Sequence, residues 1–244
     1  MASKQQTRRN ARRAARARQK LITRIVGIAL VVLVVVAIAF GIYTAQKGSA
    51  AANKTPTNPI SALTPGGPTP ELVGTKQYSS APPMLIDETK QYFATVQMAK
   101  GGEFVIQLYP DKAPITVNSF VFLANQGFFD GLTFHRVLAG FMAQGGDPKG
   151  TGSGGPGYQF VNESNDLKFD KAGVVAMANS GPDTNGSQFF ITFAPANLSE
   201  TDYTIFGQVI SGMDVVNGIT LRDPTQNPNF TGDAIKSITI SEKL

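Results

Sequence analysis

FHRVLAGFMAQGGD, residues 134–147, is the stretch on which the reading of this chain turns. Arg136 lies inside an otherwise apolar run, where an unpaired guanidinium is costly to bury. The pair Phe141-Met142 is followed by Gln144, and the stretch stops at Gly145-Gly146-Asp147, a strong turn signal. An apolar surface is thus laid beside a fixed cation and an amide, with the chain turning away just afterwards. A second stretch, AMANSGPDTNGSQFF at 176–190, ends with Gln188 and Phe190 two residues apart. On a strand these two share a face, while Phe189 points the other way into a core.

Taken together, FHRVLAGFMAQGGD and MANSGPDTNGSQFFIT resemble the cyclophilin family of peptidyl-prolyl cis-trans isomerases. The similarity runs through most of 92–243, including FATVQMAKGGEFVIQLYPDKAPITVNSFVFLANQGFFDGLTFHRV and the later YTIFGQVISGMDVV. Two long motifs in the right order are far more specific than any short pattern. The resemblance implies a mainly β fold, an eight-stranded antiparallel barrel capped by two helices. With the apolar run at 25–43, the chain reads as a membrane-anchored, bacterial protein similar to that family.

The residues around the motifs agree with that fold. Two alternating apolar runs flank Lys100-Gly101-Gly102, a hairpin signal. Pro114 and Gly127 bracket a helix with Val117, Phe120, Val121 and Ala124 at core spacing. Short strands are expected at 131–138, 140–144, 158–162, 173–178, 187–193, 204–210 and 235–242, and a second helix near 212–219.

Composition narrows the chemistry. The 244 residues include no cysteine and one histidine, His135, which excludes disulfides, a cysteine nucleophile and a multi-histidine metal site. No cofactor is expected. Gly152, Gly154 and Gly157 satisfy G-x-G-x-x-G, but no strand leads into a helix there and Pro156 sits inside the motif, so it reads as a flexible surface loop. N-x-[ST] patterns at Asn162, Asn185, Asn197 and Asn229 are common by chance, and a glycan at Asn185 would crowd the proposed site. His135 neighbours Arg136, yet adjacent strand residues point to opposite faces, so a packing or hydrogen-bonding role is expected for it.

The net charge of +5 belongs to the N-terminus. Every ionisable residue in 1–24 is basic, whereas Met84 to Leu244 carries 10 Lys and Arg against 16 Asp and Glu, a net −6. Residues 25–43, IVGIALVVLVVVAIAFGIY, are uncharged and would span roughly 29 Å as a helix, close to the hydrocarbon thickness of a bilayer. The one-sided flanking charge places the N-terminus in the cytoplasm and the rest outside the cell membrane. The basic run therefore reads as a topogenic signal rather than a nucleic-acid site, and no nucleic-acid partner is expected. Ser49-Ala50-Ala51-Ala52 offers small residues for cleavage, but the apolar run exceeds the usual signal-peptide length and favours an uncleaved anchor. Residues 44–83, rich in Ala, Pro, Thr, Ser and Gly, are expected to be a disordered linker. The organisation is then a basic tail at 1–24, a transmembrane helix at 25–43, a linker at 44–83 and an isomerase domain at 84–244, acting as a monomer.

The motif residues suit one chemistry. Exchange about a peptide bond preceding proline is slow because rotation breaks amide resonance, a barrier of about 18–20 kcal/mol. Rotation localises the nitrogen lone pair, and a donor aimed at that nitrogen favours the twisted state. Arg136 suits this, being permanently charged with a rigid fan of donors. Phe141, Met142 and Phe190 can supply an apolar pocket for the pyrrolidine ring, and Gln144, Asn179 and the Ala178 main chain can hold the flanking peptide. The resemblance assigns the same roles and adds Gln188 to the peptide-contacting positions. It also exposes a departure. Many members carry a tryptophan at the pocket rim and a histidine three residues before the Phe-Gly; this chain has Leu198 near the first position and Tyr203 at the second. An apolar rim survives, so activity is expected, but strong cyclosporin binding, which the indole N–H supports in the family, is not. The expected partners are proline-containing exported or unfolded polypeptides, and the membrane through the N-terminal helix. The alternative class is a proline-peptide binding module or holdase with negligible catalysis, which would not need the guanidinium.

Overall fold

Strands β3 (Gln91–Met98) and β4 (Glu103–Leu108) pair antiparallel from Tyr92↔Leu108 to Gln97↔Glu103, forming the hairpin expected around Lys100-Gly101-Gly102. Their alternation buries Tyr92, Ala94, Val96 and Met98 on one strand and Phe104, Ile106 and Leu108 on the other. The structure, a computed structural model, describes residues 70–243. The remaining elements are β1 (Leu72–Gly74), β2 (Gln77–Tyr78), α1 (Pro114–Asn125), β5 (Arg136–Leu138), β6 (Met142–Gly145), β7 (Val174–Met177), β8 (Phe189–Thr192), β9 (Ile205–Ser211), α2 (Met213–Asn217) and β10 (Ile235–Lys243).

Eight strands form one antiparallel sheet in the order β10-β3-β4-β9-β7-β8-β6-β5. The sheet curls around an aromatic core that includes Phe104, Phe122, Phe129, Phe134, Phe189 and Phe206, all fully buried. Its edges meet at a seam stitched by the single bridge Thr133↔Ala234 and by the bonds Ile235 N–H to Leu132 O (2.8 Å) and Phe134 N–H to Asp233 O (2.9 Å). The expected strand 131–138 is therefore shortened to β5, because residues 131–134 serve this seam. The expected strand at 158–162 is also corrected. Phe160 makes one bridge with Asn185, after which Asn162 N–H goes to Asp183 Oδ1 (2.8 Å) and Glu163 N–H to Thr204 Oγ1 (2.8 Å), so side chains take the bonds of a ladder.

Helix α1 buries more than the one face expected of it. Thr116 through Ala124 are all buried, as in a helix covered on several sides. Phe120 packs against Phe129, Phe189 and Phe206 in the core. On another side Tyr78 meets Phe122 edge-on at 5.1 Å, and Asn118 donates to Pro83 O (2.8 Å) and accepts from Leu85 N–H (2.7 Å). Residues 70–83, read from composition as the end of a disordered linker, thus carry the β1–β2 hairpin and pack on α1. Composition misleads here because one aromatic residue and a few backbone bonds suffice to dock a short segment. The basic tail at 1–24, the apolar run at 25–43 and the linker residues 44–69 lie outside the described residues; among those described, no helix is long and apolar enough to cross a membrane.

Candidate active site

Arg136, Gln144 and Phe190 stand in one row across three strands. The register pairs Arg136 with Gln144 between β5 and β6, and Gln144 with Phe190 between β6 and β8. Directly opposed residues share a face of the sheet, so the pairing alone sets cation, amide and aromatic ring side by side. Phe189 points the other way, wholly buried in the main core, while Phe190 belongs to a second apolar cluster with Met142, Phe169 and Ile205. Phe190 stacks on Phe169 at 5.9 Å and meets Tyr203 edge-on at 5.8 Å, which fixes its ring.

A cavity of about 150 Å³ opens beside this row, lined by Arg136, Phe141, Met142, Gln144, Ala178, Asn179, Phe190, Leu198 and Tyr203. Nine of the ten residues singled out from the sequence therefore surround one space, the departures Leu198 and Tyr203 included. The tenth, Gln188, lines an adjoining polar cavity of about 470 Å³, which shares Gln144, Ala178 and Asn179 with the first.

Arg136 is part-buried and takes no part in the four ion pairs among the described residues. Its Nη1 donates to Gln144 Oε1 at 3.5 Å, a long bond; Gln144 Nε2 donates to Gln188 Oε1 at 2.9 Å, and Gln188 Nε2 to Gly154 O at 2.8 Å. The guanidinium is held by an amide relay rather than by an ion pair among the described residues, and Arg136 lines the cavity. Gln188 braces the glycine-rich loop and orients Gln144. Asn179 is similarly committed: its Nδ2 donates to Asp202 O at 2.7 Å and its Oδ1 accepts from Gly181 N–H at 3.2 Å. Ala178 N–H is bonded to Gln188 O at 2.9 Å.

Two supports were not foreseen from the sequence. The buried Arg222 forms a bridge with Val137, and its guanidinium donates to the carbonyls of His135 and Phe230, clamping β5 from behind. Asp147 is buried at the turn after β6 and accepts from the N–H groups of Lys149 (2.7 Å), Thr151 (2.9 Å) and Gly152 (2.6 Å). Burial alone would raise its carboxyl, but the backbone donors of Lys149, Gly154, Gly152 and Thr151 outweigh this and hold its pKa below the usual range. The glycine-rich segment is a loop, as expected, but a tied one. A Cβ at Gly154 would lie 1.9 Å from Asp147 Oδ1, so the loop's approach to this carboxylate requires glycine there. Asn185 is fully buried, its Nδ2 on Val161 O at 2.9 Å, so the N-x-[ST] pattern there is structural.

An arginine without a carboxylate partner among the described residues, standing beside a cavity walled in part by Phe141, Met142 and Phe190, is the arrangement a proline isomerase needs. The family model of cyclophilin type peptidyl-prolyl cis-trans isomerase/CLD matches residues 93–241. The chain belongs to the cyclophilin-type peptidyl-prolyl cis-trans isomerase family. It is 51% identical over 141 residues to human peptidyl-prolyl cis-trans isomerase-like 1, covering 56% of this chain and 84% of that protein. It is 44% identical over 133 residues to peptidyl-prolyl cis-trans isomerase B of Bacillus subtilis, covering 54% of this chain and 93% of that one. Among solved structures, a cyclophilin-type isomerase of Cryptosporidium parvum crystallised in the presence of the dipeptide Ala-Pro matches with a TM-score of 0.57 and 33% identity, over 62% of this chain and 99% of that one.

Proposed function

We propose that this isomerase acts outside the cytoplasm on exported or unfolded proline-containing polypeptides, tethered to a bacterial cell membrane by residues 25–43. The pyrrolidine ring enters the cavity between Phe141, Met142 and Phe190, with Leu198 and Tyr203 at its rim. Arg136 donates to the prolyl nitrogen as its lone pair localises on rotation, and Gln144 holds the guanidinium and the flanking peptide in place. Because the Asn179 side chain is committed to the loop, its contribution to a bound peptide falls to its main chain. A donor that gains strength only as the amide twists stabilises the transition state above either ground state, which is what accelerates exchange. No covalent intermediate is required. The observation that carries this reading is the Arg136–Gln144–Phe190 row beside a cavity with Phe141 and Met142 in its wall, the guanidinium making no ion pair among the described residues.

The test is a proline-exchange assay on a chain beginning at Ser61, which retains the docked segment 70–83. Arg136→Ala is expected to reduce kcat/KM at least about tenfold, roughly 1.4 kcal/mol of transition-state stabilisation. A wild type that binds proline peptides without accelerating exchange would make the site a binding module instead. The extracytoplasmic placement is supported by the one-sided charge of 1–24 and the apolar run that follows it.

A further inference from the structure

The family match begins at residue 93, yet a segment well ahead of it reaches the site. Gln77 lines the 470 Å³ cavity, which joins the proline pocket through Gln144, Ala178 and Asn179. We infer that Leu72–Ser79 is a strap completing the substrate groove, with Gln77 a specificity-determining residue for the polypeptide flanking the proline. The inference rests on the isomerase reading of the neighbouring pocket.

The strap is anchored independently of the sheet. Tyr78 is buried against Phe122 and Phe128, and the Lys76 ammonium donates to Asp130 O (2.8 Å) and to Phe128 O, the turn that follows α1. From this footing it grips the glycine-rich loop. Three consecutive carbonyls of that loop each accept one donor: Gly154 from Gln188 Nε2 (2.8 Å), Gly155 from Gln77 Nε2 (2.8 Å) and Pro156 from Tyr78 N–H (2.7 Å). Strap and relay thus hold one wall of the cavity from opposite sides. The loop is built for this approach. Gly157 has φ of +97°, and a Cβ there would stand 2.4 Å from Tyr78 O, so only glycine admits the strap backbone.

The chemistry of the wall indicates what it takes. Amides, hydroxyls and the Lys149 cation line the cavity, with no acidic side chain among them. With its Nε2 on Gly155, Gln77 has its Oε1 as an acceptor for a passing peptide. The groove therefore suits a polar segment beside the proline, whereas an Ala-Pro core alone would occupy only the apolar pocket.

The test compares wild type with Gln77→Ala on two substrates, a blocked Ala-Pro dipeptide and the same core extended by three polar residues on each side. Exchange kinetics and peptide dissociation constants are both measured. Gln77→Ala is expected to weaken the extended peptide about fivefold, through KM and Kd with kcat unchanged, the effect of one hydrogen bond. The dipeptide should be handled as by wild type. Equal losses on both substrates, or no loss on either, would overturn the inference. The binding arm reads the strap even if exchange is absent, so a failure of the isomerase reading shows separately, as a wild type inactive on the dipeptide.

Discussion

One residue from the candidate catalytic arginine, His135 turns into the interior, 2% exposed. Burial holds its pKa below the ordinary 6.5, opposed by the nearby Asp147 carboxylate and reinforced by Arg222 and Arg136. The sign of the resulting pH dependence follows from linkage. Below about 6.5 the unfolded chain takes up a proton that the folded chain refuses, so this contribution to stability is full above 6.5 and declines as pH falls toward the folded value. Because the chain has a single histidine, its imidazole signal can be followed by NMR without assignment. A midpoint below 6.5 is expected, and His135→Gln should lose less melting temperature than wild type between pH 7.5 and pH 5; a midpoint at or above 6.5 would contradict the burial account. The same pair shows what sequence reading captures at this scale. Alternation along a strand separates His135 from Arg136, and the spacing within one motif delivers Phe141, Met142 and Gln144 to the same wall. Arg222 and Gln77 escaped because each acts through backbone groups remote in sequence, for which periodicity carries no signal; Asp147 was legible only as a turn residue, although its backbone partners lie within five residues of it.

Among the elements, α1 shows the same division between local and distant information. Pro114 at its start and Gly127 beyond its end were legible, yet its N-cap residue is Ala113, which offers no side-chain bond. The cap comes from afar: the Glu163 carboxylate accepts from Ile115 N–H (2.9 Å), Thr116 N–H (2.8 Å) and Thr116 Oγ1 (2.7 Å). An anion at a helix N-terminus satisfies orphan donors and complements the macrodipole. Removing it by Glu163→Ala is expected to cost about 1–2 kcal/mol of unfolding free energy, at the upper part of the range for caps, while Glu163→Gln retains part of it. Urea unfolding monitored by circular dichroism measures both, and equal stability of all three proteins would deny Glu163 its capping role. The cap also explains why 158–162 failed to become a strand. Thr204 Oγ1 takes the Glu163 N–H and Asp183 takes the Asn162 N–H, so this stretch is fastened by side chains that alternation cannot reveal.

For the whole molecule, charge separates the two ways in which it could meet a membrane. The described residues carry 11 Lys and Arg against 17 Asp and Glu, a net −6, so the isomerase domain is repelled by an anionic lipid surface. A membrane contact of this chain is then left to the N-terminus, either to the basic tail at 1–24 through headgroup electrostatics or to the apolar run at 25–43 through insertion. The two respond differently to solvent. Electrostatic adhesion is released by salt, because screening shortens its reach to about 3 Å at 1 M, whereas a spanning helix resists both salt and alkaline carbonate. The full chain is expected to sediment with membranes and to remain there through 1 M salt and carbonate washing, while a chain beginning at Ser61 stays in the supernatant. Release by salt alone would assign binding to the basic tail, and a soluble full chain would remove the anchor altogether. Protease added outside intact cells should digest the domain while sparing an N-terminal tag; protection of the domain would reverse the orientation that the charge of residues 1–24 implies.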